Sequence, residues 1–449
     1  MPNRTISAID IGSTKIATVI ASINESESPT VIGVATFPSK GMKKGVVVNI
    51  DEAITAIAGS LEAAERMAGL TSPSVYISIN GKHITSTNNK GVVAVAEVEI
   101  KSEDILRAIE SARTISIPPS REIIHVIPKE FIVDAQGDIK DPIGMTGTRL
   151  EVNTHIISAT SSALHNLMKC VTAIGLKIED VVFAGWASST SVLTATEKEL
   201  GVMLLDIGGG TTTINTFEED AITHSSSVPL GGANITSDLA IGLRVSLEDA
   251  EKIKINAEEL MRSGSGKMNV NEMTKKREKI LAKYSEKDAA LDEIEEQEEK
   301  ENKKIKDIID VSSLEINGVK TISRKMFEEI IEARLSEIFD MVIRQVEESG
   351  NNSKLPAGVV ITGGTAMIPG ITNIAKKVFG VPARVGTPKG LTGLVDEISG
   401  PAYSVVSGLV QYAAANEGYR GSRKAATTKV ASGEGIFDKV KGFFKNLMP

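Results

Sequence analysis

Leu204-Leu205-Asp206-Ile207-Gly208-Gly209-Gly210-Thr211-Thr212-Thr213 is the stretch that orders the rest of the chain. The apolar run from Val202 to Leu205 reads as a buried strand, and the three glycines after Asp206 force a tight turn. Lacking a Cβ, such a turn lets the main chain approach a phosphate and offer it N–H groups. Asp206, at the strand end, is placed to hold a hydrated Mg²⁺. On its own the motif is only moderately specific, since a glycine hairpin with a solvated aspartate has the same composition.

Two further stretches narrow the choice. Ser7-Ala8-Ile9-Asp10-Ile11-Gly12-Ser13-Thr14-Lys15 repeats the design, strand then acid then glycine and hydroxyls, about 200 residues upstream. Gly358-Val359-Val360-Ile361-Thr362-Gly363-Gly364-Thr365-Ala366 is another buried strand running into paired glycines, without an acid, and suits a nucleoside rather than a metal. Two acidic phosphate loops and a later acid-free glycine loop form the pattern of the actin-like ATPases. The fold class expected is therefore α/β, a two-lobed actin-like fold with ribonuclease-H-like halves. Asp10 and Asp206 are the expected metal residues. Gly12, Ser13, Thr14, Lys15 and Gly208, Gly209, Gly210, Thr211, Thr212 are expected to cradle phosphates, with Gly231, Gly232, Gly363 and Gly364 lining the nucleotide.

The 449 residues are enough for two or more domains, and 41% hydrophobic with 24% charged residues is a globular composition. A formal net charge of −8 argues against general nucleic-acid binding. Cys170 is the only cysteine, which excludes an intramolecular disulfide and suits a reducing compartment. The first residues lead directly into a strand, so no targeting segment is expected, and no apolar run reaches ~18 residues.

Along the chain, residues 1–83 read as the first part of one lobe: strands at Ile6–Ile11, Ile16–Ile20 and Val31–Phe37, a helix from Asp51 with that residue as N-cap, and a strand at Val75–Ile79. Residues 84–151 read as a small inserted α+β module. It has a strand at Val92–Glu99, a helix capped by Ser102, and strands Ile123–Ile127 and Glu130–Val133 broken by Pro128. Residues 152–200 return to the first lobe, with His155–Ala159 as a core strand and a helix closed by Gly175. Residues 201–245 open the second lobe, and 246–350 form its subdomain with a charged insertion at 264–312. There Ser246 caps a helix on which Glu251 and Lys254 share one face; they suit a ribose and adenine edge, or a plain surface ion pair. The long amphipathic helix Ser323–Val346 is core-forming. Residues 351–415 complete the second lobe, and 416–435 are a polar linker.

The last residues, 436–449, carry the second signal. Ile436, Phe437, Val440, Phe443, Phe444, Leu447 and Met448 share one helical face, with Lys439, Lys441 and Lys445 off it. A basic amphipathic helix on a tether suits an anionic membrane surface, although it could instead dock on a protein core. Apolar gains of ~1.5–3 kcal/mol per large side chain, less the ordering cost, support reversible attachment, which clustering would make firm.

Taken together, the chain resembles the FtsA family of bacterial division proteins within the actin superfamily. The resemblance rests on Asp10–Lys15, Ser39-Lys40-Gly41-Met42, Ser78–Ile84, His125-Val126-Ile127-Pro128, Phe183–Ser189, Glu199–Val202, Asp206–Thr212, Ile361–Gly364 and the tethered tail. It implies that the insert is the family's extra subdomain, and that ATP binds with Mg²⁺ with weak or no turnover. It also implies filaments of the protein on the cytoplasmic face of the plasma membrane at the division site. Capture of the C-terminal tail of the tubulin-like FtsZ and recruitment of later division proteins complete what it implies. The charged arm departs from the pattern, as does Ala184 where filament-forming relatives carry a catalytic Glu; the latter argues against efficient hydrolysis. A PilM-like pilus-assembly relative shares the subdomain but is recruited through partners, and a small-molecule kinase of the superfold needs a base and pocket that do not stand out. Neither calls for the tail.

Overall fold

A computed structural model describes residues 4–23, 28–263, 307–316, 318–350 and 354–424. The amphipathic face at 436–449 and residues 264–306 of the charged insertion lie outside them. The chain forms two compact units: residues 233–337 with 367–371 form one, and the other described residues form the larger. The division therefore does not run between the two loop-bearing halves. Both belong to the larger unit.

That unit holds the same sheet twice. In the first, Thr30–Pro38, Lys15–Ile23 and Arg4–Ile11 form an antiparallel meander, and Ser74–Ile79 and Lys177–Phe183 continue it in parallel. In the second, Ala221–Val228, Thr212–Glu218 and Val202–Ile207 form the meander, and Val359–Thr362 and Ala383–Val385 continue it. A short strand, Thr392–Gly393, adds an edge to the first sheet alone. Alternation sorts its side chains. Ile9 and Ile11 face the helices Ile50–Ala68 and Ser161–Thr172, where Ile57, Leu61, Leu164 and Leu167 are buried. Each such side chain contributes about 1.5–3 kcal/mol. Ala8, Ala17 and Val19 face the helices Ala184–Val192 and Ser404–Lys424. The latter two helices cross so closely that a Cβ on Gly408 would meet the Ala187 carbonyl.

A third sheet, in the order Thr85–Ala94, Arg149–Thr160, Arg121–Val133, Gln136–Ile139, carries the helix Ser102–Arg113 on its own core of Ile105, Ile109, Phe131 and Leu150. Several sequence expectations need correction here. Pro128 does not break a strand: Arg121–Val133 is continuous, and a register shift between Asn153 and Thr154 absorbs the missing N–H. The strand expected at Val92–Glu99 instead ends at Ala94. His155–Ala159 belongs to this sheet, not to that of the first half.

Asn49 rather than Asp51 caps Ile50–Ala68, its side chain accepting the Glu52 N–H, while Asp51 and Glu52 occupy the favourable first turn. Lys101, not Ser102, is the N-cap of the next helix, with the Asp104 carboxylate accepting its N–H at 2.9 Å. The final helix runs to Lys424, into the stretch read as linker.

The smaller unit packs the helices Leu247–Ile255 and Ala257–Ser263, most of Gly232–Leu243, and the N-terminal part of Arg324–Glu348 beside the hairpin Ile308–Asp310 and Thr321–Ser323. Ser246 caps its helix as expected. Arg334 clamps Asp238 with two hydrogen bonds, at 2.5 and 2.9 Å.

Candidate phosphate and metal site

The two acidic turns match residue for residue. Asp10 pairs across its hairpin with Ala17, and Asp206 with Thr213. Two residues on, Gly12 N–H bonds the Lys15 carbonyl at 3.0 Å, and Gly208 N–H bonds the Thr211 carbonyl at 2.9 Å. Glycine is needed at Gly12 because a Cβ would lie 2.6 Å from the Lys15 oxygen. The turns also meet. Cβ atoms on Gly209 and Gly210 would run into the side chains of Thr14 and Ser13.

Behind each aspartate stands a serine from a neighbouring element. The Ser78 hydroxyl donates to Asp10 Oδ1 at 2.7 Å and accepts the Ile11 N–H at 3.0 Å. Ser188, on the helix Ala184–Val192, lies close enough to Asp206 to favour its charged form, while its hydroxyl donates to the Gly185 carbonyl at 3.2 Å. Burial raises the Asp10 pKa, against the Ser78 bond and the Lys15 charge. Burial also raises the Asp206 pKa, to about 7, and the charge of Asp10 adds to it; Lys15 and Ser188 oppose. Burial lowers the Lys15 pKa against the pull of both acids.

Two desolvated carboxylates with one lysine nearby form a site short of positive charge. Among the described residues no group of three or more His, Cys, Asp or Glu could hold a metal. A cation here would rest on two carboxylates and fill its shell with water and phosphate oxygens, which is how Mg²⁺ binds. The residues present therefore fit that ion.

Of the other sequence candidates, Gly231 and Gly363 join the site and Gly364 lies beside it. A Cβ on Gly231 would meet the Gly208 carbonyl. That oxygen also accepts the Gly232 N–H at 2.9 Å and the Thr365 hydroxyl at 3.0 Å. Gly363, at φ +86°, lies against Asp206 itself. Thr212 turns away, its hydroxyl donating to the Leu230 carbonyl at 2.9 Å. Lys15, whose charge reaches both aspartates, also donates its ammonium to the Ala402 carbonyl at 2.6 Å and sits 3.7 Å from the centre of the Tyr403 ring.

Glu251 and Lys254 belong to the smaller unit, where they pair with each other at 2.6 Å and with the Thr236 hydroxyl. Sequence reasoning missed the serine supports and Asn80, whose amide donates to Thr211 and Thr213. Ser78 and Asn80 stood within a quoted motif, but no local rule assigned them a partner. Ala184 opens its helix, buried, and offers no base.

Residues 81–158 match the family model described as the SHS2 domain inserted in FTSA, and residues 203–408 match that of cell division protein FtsA. The chain is 34% identical to the cell division protein FtsA of Pseudomonas aeruginosa, over 91% of this chain and 88% of that one. It is 35% identical to that of Borreliella burgdorferi, over 99% of both. Among solved structures it resembles a chain of a PilM-PilN type IV pilus biogenesis complex, with TM-score 0.58, 15% identity, and coverage of 91% of this chain and 98% of that one. This last likeness is one of fold.

Proposed function

Given that the chain belongs to the FtsA family of cell division proteins and has their actin-like α/β fold, we infer that it binds Mg-ATP and polymerises on the cytoplasmic face of the plasma membrane. There it tethers the FtsZ ring through the FtsZ C-terminal tail and recruits later division proteins. The observation that carries the nucleotide part is the meeting of two matched acidic turns in one buried, cation-poor site.

In this reading Asp10 and Asp206 hold the hydrated metal, with Asp10 held in turn by the Ser78 hydroxyl and Ser188 standing beside Asp206. The free main-chain edges of both turns face the phosphates. Gly363 and Gly364 admit the nucleoside. When bound, the metal neutralises phosphate charge and orients the chain of phosphates. Turnover is weak at most, because Ala184 leaves the attacking water without a carboxylate base.

The membrane part rests on the face formed by Ile436, Phe437, Val440, Phe443, Phe444 and Leu447. No helix among the described residues is long and apolar enough to cross a bilayer. Flotation with anionic liposomes tests attachment. The full chain should float with vesicles and carry a fluorescent FtsZ tail peptide with it, and a chain ending at Lys424 should stay at the bottom. Equal flotation of both would overturn the tail as anchor.

A further inference from the structure

Between the first turn and the inserted sheet lies a small hairpin, Met42–Lys43 paired with Val46–Val47. Its two tip residues, Lys44 and Gly45, both have positive φ, +50° and +77°. That is the geometry of a type I′ turn, in which asparagine, aspartate or glycine normally takes the first tip position. A lysine there is strained, and such strain persists where the surroundings over-determine it.

Here they do, on three sides. Gly45 N–H donates to the Ser13 hydroxyl of the first turn at 2.9 Å. Lys44 N lies 3.2 Å from where a Gly210 Cβ would stand, against the second turn. A Cβ on Gly45 would lie 2.6 Å from the Asn80 carbonyl, and one on Gly81 would lie 3.2 Å from the Lys44 carbonyl. The tip is thus wedged against both phosphate turns and the Asn80–Gly81 corner, while the Lys44 side chain remains exposed.

The site needs such a cation. Lys15, the lysine the sequence offered for the phosphates, already serves both aspartates with its charge and donates to the Ala402 carbonyl beside the Tyr403 ring. The aspartates add negative charge where a polyphosphate would bring more.

We propose that Lys44 is a phosphate-charge sensor: its ammonium, on a flexible stem fixed at the junction of the two turns, pairs with the outermost phosphoryl group and makes the site prefer a triphosphate to a diphosphate. This rests on the nucleotide reading above. A point charge on a mobile stem suits the role, because its attraction grows with the charge of the group it meets. The strained main chain is what brings the stem to that junction.

Calorimetric titration of the full chain with Mg-ATP and with Mg-ADP tests this in wild type and in Lys44→Asn, Lys44→Arg and Lys43→Asn. Asparagine tolerates the left-handed backbone and keeps the hairpin. K44N should weaken Mg-ATP about tenfold and Mg-ADP less than about threefold. K44R should stay within about threefold of wild type for both, as should K43N, an exposed side chain one residue away on the same hairpin. Equal loss for both nucleotides in K44N, or no loss, would overturn the sensor while leaving nucleotide binding standing. Failure of the wild type to bind either nucleotide would overturn both. Unchanged thermal unfolding of K44N separates lost charge from lost fold.

Discussion

Gly363 packs its Cα against the carboxylate of Asp206, so closely that a Cβ on it would lie 2.4 Å from Oδ1 and 2.6 Å from the Ile207 carbonyl oxygen. The adjacent Gly364 has only the Ala402 Cβ near its own, at 3.8 Å. Gly363→Ala combines that clash with a strained φ of +86° and should cost more than about 2 kcal/mol in urea unfolding. Gly364→Ala should stay within about 0.5 kcal/mol. Similar costs for the two would mean that the third glycine loop does not abut the aspartate.

His155 joins the inserted sheet to the second sheet. Asn88 donates its amide N–H to the Thr223 carbonyl, so its oxygen accepts from His155 Nδ1–H at 2.8 Å. His155 Nε2 then accepts the Ser225 hydroxyl at 3.0 Å. Burial, with the nearby His224, Lys129 and His125 charges, drives its pKa down to about 3. A histidine lowered in the folded state favours the neutral form there, so its stabilising effect is complete above the unfolded value near 6.5 and is lost as pH falls towards 3. Stability should therefore rise with pH across that window, by up to about 1.4 kcal/mol per unit from this group. His155→Gln should flatten the slope; an unchanged slope would show that other groups set it.

Arg384 anchors the edge strand Ala383–Val385 by two bonds to Glu197, at 2.6 and 2.8 Å. Despite its partial burial, Glu197 is held down to about 2 by the Arg384 bond, then by its bonds to Thr194 and the Arg384 charge. A carboxylate so lowered stabilises the fold above its usual range near 4.5 and loses that effect as pH falls towards 2. Both groups are partly solvated, so Arg384→Met should cost only about 1–2 kcal/mol at pH 7, measured by chemical unfolding. A cost that persists undiminished at pH 2 would assign it to packing rather than to the ion pair.

Much of this was legible from local patterns. The two acidic turns, the third glycine loop, the inserted module and the core helix Arg324–Glu348 all carry signals within one element: an apolar run, a glycine pair, a helical period. What stayed hidden depends on partners far along the chain. Ser78 and Ser188 are unremarkable serines until folding sets them behind Asp10 and Asp206. Lys15 read as a phosphate ligand from its position in the turn, but its bond to the Ala402 carbonyl, nearly the whole chain away, is invisible in sequence. Pro128 read as a strand break because sequence does not show that a register shift opposite it can absorb the missing donor. Caps slipped by one or two residues, the usual reach of side chains that compete for the same first turn.

Equilibrium dialysis of the full chain against labelled ATP with Mg²⁺, beside Asp206→Ala, measures whether the paired turns form one metal–phosphate site. Saturable Mg-dependent binding by the wild type, reduced at least about a hundredfold in the variant, is the expected result. Equal binding by both proteins would contradict it, because no metal-bound phosphate could then depend on that carboxylate.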